Sequence, residues 1–303
     1  MNKAQFILNL SIVTLLTACA ELPREPVQSN SLSNCPKQTV ATLVAEQQQF
    51  SALSDTPTLN CALTVLRETQ DSDSRRTTLG SKLCLHLAER EINQEQRENL
   101  AAEGVSFAET SLAHGGNSNG AVHYYLAANL GLAVREHPTE ALSNLSRLEN
   151  EMKQALALSP DLDDGGPLRL LGTLYLKAPA WPNGIGDLDK ALELLAKAAK
   201  DHPNHPLNHL FYAQALRENG DETSLNQFKV QLALGEKLLS EGNWGYNKVP
   251  WQKEFVAFKQ EAGESDQATL KVITLPQNAH IIPSRTPLVS KYARFPLNRP
   301  APA

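Results

Sequence analysis

Between Gly120 and Leu239 the apolar positions return every three or four residues, in blocks separated by glycine, asparagine and proline. In GGPLRLLGTLYLK, Leu168, Leu171, Gly172 and Tyr175 fall at i, i+3, i+4 and i+7, which is one face of a helix. The glycine on that face stands where a second helix can press close. In the following LDKALELLAKAAKDHP, Ala191, Leu194, Leu195 and Ala198 repeat the spacing, and Pro203 closes the segment. The same alternation occurs upstream in His123, Leu126, Ala127 and Leu130, answered by Leu148, Met152, Ala155 and Pro160. It opens again downstream with His209, Tyr212, Ala213 and Leu216, followed by the turn Asn219-Gly220-Asp221 and a helix that Asp221 or Thr223 caps, running to about Leu239.

Large and small residues alternating on two facing stripes, closed by proline, form the tetratricopeptide pattern. The small positions Ala127, Gly172 and Ala213 are 45 and 41 residues apart, against a standard unit of ~34 residues, so each unit carries an insertion. In the central unit it lies between the helices: Gly172 to Ala191 spans 19 residues where the standard offset is ~12. The inserted residues are Ala178 to Gly186, with Trp181-Pro182 at their centre.

Before this region, helices are expected at Thr39–Phe50, Leu59–Glu68, Arg76–Arg90 and Ile92–His114, with Ala101, Val105 and Ala108 echoing the second-helix stripe and Gly80 as a small position. GGNSNG (115–120) reads as a turn, without the Gly-Lys-Ser/Thr end of a phosphate loop. After it, Trp244, Tyr246, Pro250 and Trp251 lead into a helix over about Gln252–Gly263, Leu270–Leu275 has the look of a short strand, and the remainder reads as an extended or disordered tail. The predicted architecture is all-α: a tetratricopeptide-like helical repeat, or α-solenoid, with inserted loops, a flexible N-terminal tether and an irregular C-terminal tail.

The first residues set the expected compartment. Lys3 precedes an apolar run from Phe6 to Leu16, too short to span a bilayer, and Leu16-Thr17-Ala18-Cys19 follows it. This resembles a bacterial lipobox, which implies cleavage before Cys19 and acylation of that cysteine. Several acyl chains give stable anchoring. Ala20 is not the aspartate associated with inner-membrane retention, so the expected site is the periplasmic face of the outer membrane. Residues 1–18 are then signal, 19–36 a lipidated tether, 37–263 the helical-repeat domain and 264–303 the tail. Losing the signal removes only Lys3, so the mature chain is one unit more negative than the formal −5. An acidic balance argues against nucleic acid and anionic lipid surfaces as partners, leaving the lipid anchor as the expected membrane contact.

With Cys19 acylated, Cys35, Cys61 and Cys84 remain in an oxidising compartment. Cys61 and Cys84 fall on consecutive helical segments, which favours a Cys61–Cys84 disulfide, with Cys35 paired to either as the rival. No Cys-x-x-Cys or adjoining histidine accompanies them, so no metal is expected there. The chain has no His-Glu-x-x-His, no Gly-x-Ser-x-Gly and no cysteine with activating neighbours, so we expect no enzyme and no cofactor. His202, His205 and His209 lie close together, but two prolines interrupt them and no carboxylate stands at ligand spacing. They read as solvent-facing loop and first-turn residues.

Candidate binding residues are aromatic or polar side chains within the repeats. Trp181 is either a hydrophobic plug closing the helix pair or an aromatic wall for a ligand or partner. Tyr124, Tyr125, Tyr175 and Tyr212 lie at or beside packing positions. Adjacent Tyr124 and Tyr125 point about 100° apart, so only one is expected on the central stripe. Asn129 and Asn208 interrupt apolar helices and are either groove-facing hydrogen-bonders or simply exposed.

The run from Gly165 to Glu222, with AVHYYLAANLGL before it, resembles the T component associated with TRAP transporters, over roughly Ala101 to Leu239. The Trp-Pro insertion followed by Gly186-Asp187 and the second helix is the most specific part. The resemblance implies a periplasmic lipoprotein of helical repeats that forms homotrimers, binds the transporter's extracytoplasmic solute-binding protein and has a passage suited to small hydrophobic ligands. The section bearing the cysteines and the tail have no counterpart in it. The alternative is a tetratricopeptide-repeat adaptor for envelope protein complexes, with no small ligand.

Overall fold

The computed structural model describes residues 35–273, and side chains as far as 263. The lipobox, the signal and tether as far as residue 34, and the chain from 274 onward lie outside the described residues. What is described is all-α. The helices are α1 (Val40–Ala45), α2 (Thr56–Glu68), α3 (Ser74–Ala88), α4 (Gln94–Ala113), α5 (Gly120–Val134), α6 (Pro138–Leu158), α7 (Gly166–Lys177), α8 (Leu188–Asp201), α9 (Pro206–Asn219), α10 (Glu222–Glu241) and α11 (Lys248–Ile273).

Their starts follow from local chemistry. Asp55, Asn93, Asp187 and Asp221 each accept a hydrogen bond from the backbone N–H three residues on, supplying orphan donors of the first turn. Proline stands in the first turn of α2, α6, α7 and α9, where its missing N–H costs nothing. Leu270–Ile273, expected as strand, is instead the end of α11. So short a segment cannot set its own period when a helix already propagates into it. Beyond the helices, Ala180 and Gly186 form a single parallel bridge inside the α7–α8 loop.

The stripes are buried. Ala101, Val105 and Ala108 of α4, Leu148, Met152 and Ala155 of α6, and Ala191, Leu195 and Ala198 of α8 all face the interior. A Cβ on Gly172 would come within 2.7 Å of Leu195, so α7 and α8 approach closely there only because residue 172 has no side chain. Successive helices from α2 to α10 pack on one another, and the odd-numbered ones also pack on the next odd-numbered one: α3 on α5, α5 on α7, α7 on α9 and α9 on α11. Apolar clusters run along this array. One gathers α1–α3 around Leu43, Leu59 and Leu63, a central one surrounds α5, and a third joins α8–α11 around Leu210, Phe228 and Phe255.

Two links close the molecule. Cys61 is bonded to Cys35, tying the segment before α1 to α2. Cys84, expected as the partner, is a free thiol packed into the Leu43–Leu59–Leu63 cluster, and its burial pushes its pKa well up. The second link joins the two ends of the array. The Tyr246 backbone N–H donates to the Ala52 carbonyl (3.1 Å), and Arg90 donates to the Ser54 (2.6 Å) and Ser51 (3.2 Å) carbonyls while covering the Tyr246 ring at 4.9 Å.

Candidate functional site

The odd-numbered helices leave one strip less covered than the rest. On α5 it is Ala121, Ala128, Leu132 and, just past its end, Arg135, with the buried Tyr125 on the same face, at alternating spacings of four and three. Beside them, nothing lies within 4 Å of the position a Cβ on Gly131 would take. The corresponding face of α7 carries Leu170, Thr173 and Lys177. The α5 strip is mostly apolar, the α7 strip sets Leu170 beside Thr173, and each ends in a cation at the C-terminus of the helix, where the helix dipole favours positive charge.

α11 brings Glu254 to that end. Burial raises the Glu254 carboxyl to about 7, the charges of Arg135 and Lys177 pull it back, and Glu261 opposes them. The same burial lowers Arg135 and Lys177 from their ordinary values, and the neighbouring glutamates (Glu261, Glu218 and Glu254 around Lys177) only partly compensate. Tyr246 completes this end among Glu89, Arg90, Arg135 and Arg97, and burial raises its phenol. Neither Lys177 nor Glu254 makes a hydrogen bond or ion pair among the described residues. Among the described residues Arg135 meets the Glu136 carboxylate at 3.4 Å, which Arg97 reaches at 3.4 Å as well. The Nε atoms of Arg90, Arg97 and Arg135 are buried without acceptors.

The opposite end of α7 is built otherwise. Asp163, Asp164 and Gly165 take consecutive left-handed backbone conformations, which turns two carbonyls inward. Arg169, 4% exposed, donates to the Asp163 (3.2 Å) and Asp164 (3.3 Å) carbonyls and the Asn208 side chain (2.9 Å), and is paired with the Asp163 carboxylate. Asn208 donates to the carbonyls of Asp164 (3.0 Å), His202 (2.9 Å) and Ala198 (3.3 Å), and Tyr124 donates its hydroxyl to Asp163 (2.7 Å). His205 lies alongside, enclosed by Trp244 and Trp251. Burial, then the charge of Arg169, pushes its pKa down to about 2.

The sequence candidates therefore divide. Tyr124 and Asn208 are spent in this network. Asn129, wholly buried on α5, donates to the Ser81 backbone and hydroxyl and to the Tyr125 carbonyl, so it is neither groove-facing nor exposed. Tyr175 is buried between α6 and α8, with its hydroxyl donating to Glu149 (2.6 Å). Tyr212 packs half-buried on the third cluster. Tyr124 and Tyr125 are both buried, because α5 has neighbours on nearly every side. Only Tyr125 joins the strip, and burial raises its hydroxyl, which has no hydrogen-bond partner among the described residues.

His205 and His209 are buried, not solvent-facing, since Pro203 and Pro206 turn the segment inward. Among the described residues, no group of three or more His, Cys, Asp or Glu side chains is arranged to hold a metal ion. Trp181 is 84% exposed at a cis Trp181–Pro182 bond, so it plugs nothing. Its loop is held by the Gly186 N–H on the Pro179 carbonyl (2.8 Å) and the Asp187 N–H on the Tyr175 carbonyl (3.0 Å).

Arg135, Lys177, Glu254 and Tyr246 were not among the sequence candidates. The one available signal was a cation ending each of two apolar helical stripes. No protein-family model matches the chain, and no curated protein matches it. Among the described residues, no helix is long and apolar enough to cross a membrane.

Proposed function

We propose that this chain is a lipid-anchored, non-enzymatic helical-repeat protein of the periplasm, held at the outer membrane through Cys19. In this reading it serves as an accessory to solute uptake in the manner of the TRAP-transporter T component. It binds an extracytoplasmic solute-binding protein and holds a small, largely hydrophobic ligand along the strip of α5 and α7.

The observation that carries the repeat reading is a recurrence in atomic detail. His123 of α5 donates through Nε2 to the carbonyl six residues before it, Asn117 (3.0 Å), and meets Glu151 of α6 through Nδ1 (2.6 Å). His209 of α9 donates to the carbonyl six residues before it, Pro203 (2.7 Å), and meets Gln231 of α10 through Nδ1 (2.7 Å). The same residue type in the same place performs the same two tasks in two helix pairs, as stacked copies of one unit would. In such a stack each unit buries its stripe on its neighbours and leaves the first-helix face available for binding.

Exposed Trp181 favours a protein partner, because a tryptophan held out on a braced loop is a large anchor with little ordering left to lose. Affinity capture from envelope extract, with bound proteins identified by mass spectrometry, tests the reading: a solute-binding protein is expected. Recovery of an envelope-assembly complex without one would replace it with the adaptor. Cys19→Ser should abolish membrane association, and unchanged fractionation would remove the anchor from the proposal.

A further inference from the structure

We propose that the end of the molecule carrying Leu53 and Ile92 rests on the lipid surface to which the chain is anchored, with these two side chains entering the headgroup layer of a zwitterionic bilayer. This rests on the reading of Cys19 as lipidated, and it adds to the anchor a contact made by the folded body itself.

The two residues belong to loops fastened to each other. Arg90, just past the end of α3, donates to the Ser54 (2.6 Å) and Ser51 (3.2 Å) carbonyls and so ties the α1–α2 loop to the α3–α4 loop. From these joined loops Ile92 stands 92% exposed and Leu53 61% exposed, and Ile92 is the most exposed large hydrophobic side chain among the described residues. Gly245 reaches the same place, since a Cβ there would come 3.0 Å from the Leu53 side chain, and exposed Val249 follows one helical turn later. Aliphatic tips on a braced backbone have little ordering left to lose when something covers them.

What covers them follows from where the tether enters the body. Cys35 is bonded to Cys61, so the entry point lies about 8 Å along α2 from the loop that carries Leu53. Cys35 stands sixteen residues after Cys19, a reach of at most about 55 Å, and a link that short holds its far end at an effective concentration on the order of millimolar. A shallow apolar contact then suffices. Beside the internally bonded Arg90, the charges flanking the tips are acidic: Asp55 in one loop, and Glu89, Glu91 and Glu95 around the other. They oppose an anionic surface, which leaves burial of the aliphatic tips as the driving force. Trp181, two helix pairs farther along the array, stays with the protein partner.

Fluorescence quenching by lipids with brominated acyl chains tests this. A polarity-sensitive thiol dye is placed on Ile92→Cys or, as reference, on Leu158→Cys; Cys35 and Cys61 are bonded to each other and Cys84 is buried, so none competes. Leu158 ends α6, and His137 before that helix meets Glu98 in the first turns of α4 (3.1 Å), so the reference lies about 30 Å from the Ile92 end. With the lipidated chain in phosphatidylethanolamine vesicles, the Ile92→Cys dye is expected to be quenched and the Leu158→Cys dye not. Leu53→Asp should lower the docked-to-free ratio about tenfold, the worth of burying one such side chain, while Val230→Asp on α10 leaves it unchanged. Added phosphatidylglycerol should weaken quenching, and added salt should not. Equal quenching at both positions, none at either while the chain is membrane-bound, or loss of quenching in salt overturns the docking. The mature chain with Cys19→Ser, held to the same vesicles by an N-terminal histidine tag and a chelating lipid, keeps the two readings apart. Quenching at Ile92→Cys there, with no membrane association of the parent chain, would remove the lipid from Cys19 and leave the docking end standing. Thermal melting of each variant confirms folding.

Discussion

The two ends of α7 use the same kinds of residue for opposite purposes. At its N-terminus an arginine, an asparagine, an aspartate and a tyrosine satisfy one another and the inward carbonyls of a left-handed turn. At its C-terminus Lys177 has no hydrogen bond or ion pair among the described residues, Glu254 lies within electrostatic reach of it, and the next loop holds a tryptophan out into solvent. A buried polar group whose partners all come from its own chain contributes to specifying the fold. One left unpartnered lowers stability and is retained where something else completes it. Burial and polarity alone do not tell the two apart. The list of partners does.

The sharpest break of that contrast is at the saturated end. Asn208→Ala removes the acceptor for Arg169 and the donor to three carbonyls at once, and Arg169→Met leaves Asp163 and the inward carbonyls short of their donor. Each should cost about 3–5 kcal/mol, the range for stranding one member of a buried charged network. Urea unfolding of the two variants would measure it, with the midpoint falling and the slope unchanged. A loss below about 1 kcal/mol would mean the network is not what holds this end.

At the unsatisfied end the sign reverses. The Glu254 carboxyl, raised from 4.5 to about 7, is protonated in both folded and unfolded chains at pH 3.5, so Glu254→Gln should be nearly neutral there. Between 4.5 and 7 the unfolded chain loses the proton first, and by pH 8 the folded chain holds the full penalty of a buried carboxylate. Glu254→Gln should then stabilise the protein by about 2 kcal/mol, from a shift of this size at 1.36 kcal/mol per pH unit less some solvent screening. Equal effects at both pH values would contradict the burial of that group. Between the two ends, Tyr175→Phe deletes one hydrogen bond to Glu149 and should cost about 1 kcal/mol at either pH.

How much of this could be read from the sequence follows from the same division. The stripes were legible because Leu168, Leu171, Gly172 and Tyr175 recur at helical spacing and are buried, with Gly172 against Leu195 of α8, and the Asp221 cap because Asn-Gly-Asp leaves few alternatives. Polar residues within the stripes were not. Asn129 bonds to Ser81 two helices earlier, and nothing local separates that asparagine from one facing water. Cys61 finds Cys35 across a segment without a period, and His205 and His209 follow prolines that look like loop and instead turn the chain inward. The charged end is the extreme case. Arg135, Lys177 and Glu254 belong to three elements far apart in the chain, and only packing α11 against the array brings their charges together.

The smallest expected effect is also the one that tests whether exposure here means function. The loop that carries Trp181 is held by the Gly186 and Asp187 N–H groups on the Pro179 and Tyr175 carbonyls, and Trp181 itself is 84% exposed. Trp181→Ala therefore removes little buried area and should change stability by less than about 0.5 kcal/mol, as for an ordinary surface position. Its effect on capture of a protein partner should be far larger, at least about 2 kcal/mol if the indole is a central anchor. Surface plasmon resonance against the captured partner, paired with a melt of the same variant, separates the two quantities. Undiminished binding would make the tryptophan a feature of the loop alone, and a large fall in melting temperature would mean that the ring, not the backbone, braces the join between α7 and α8.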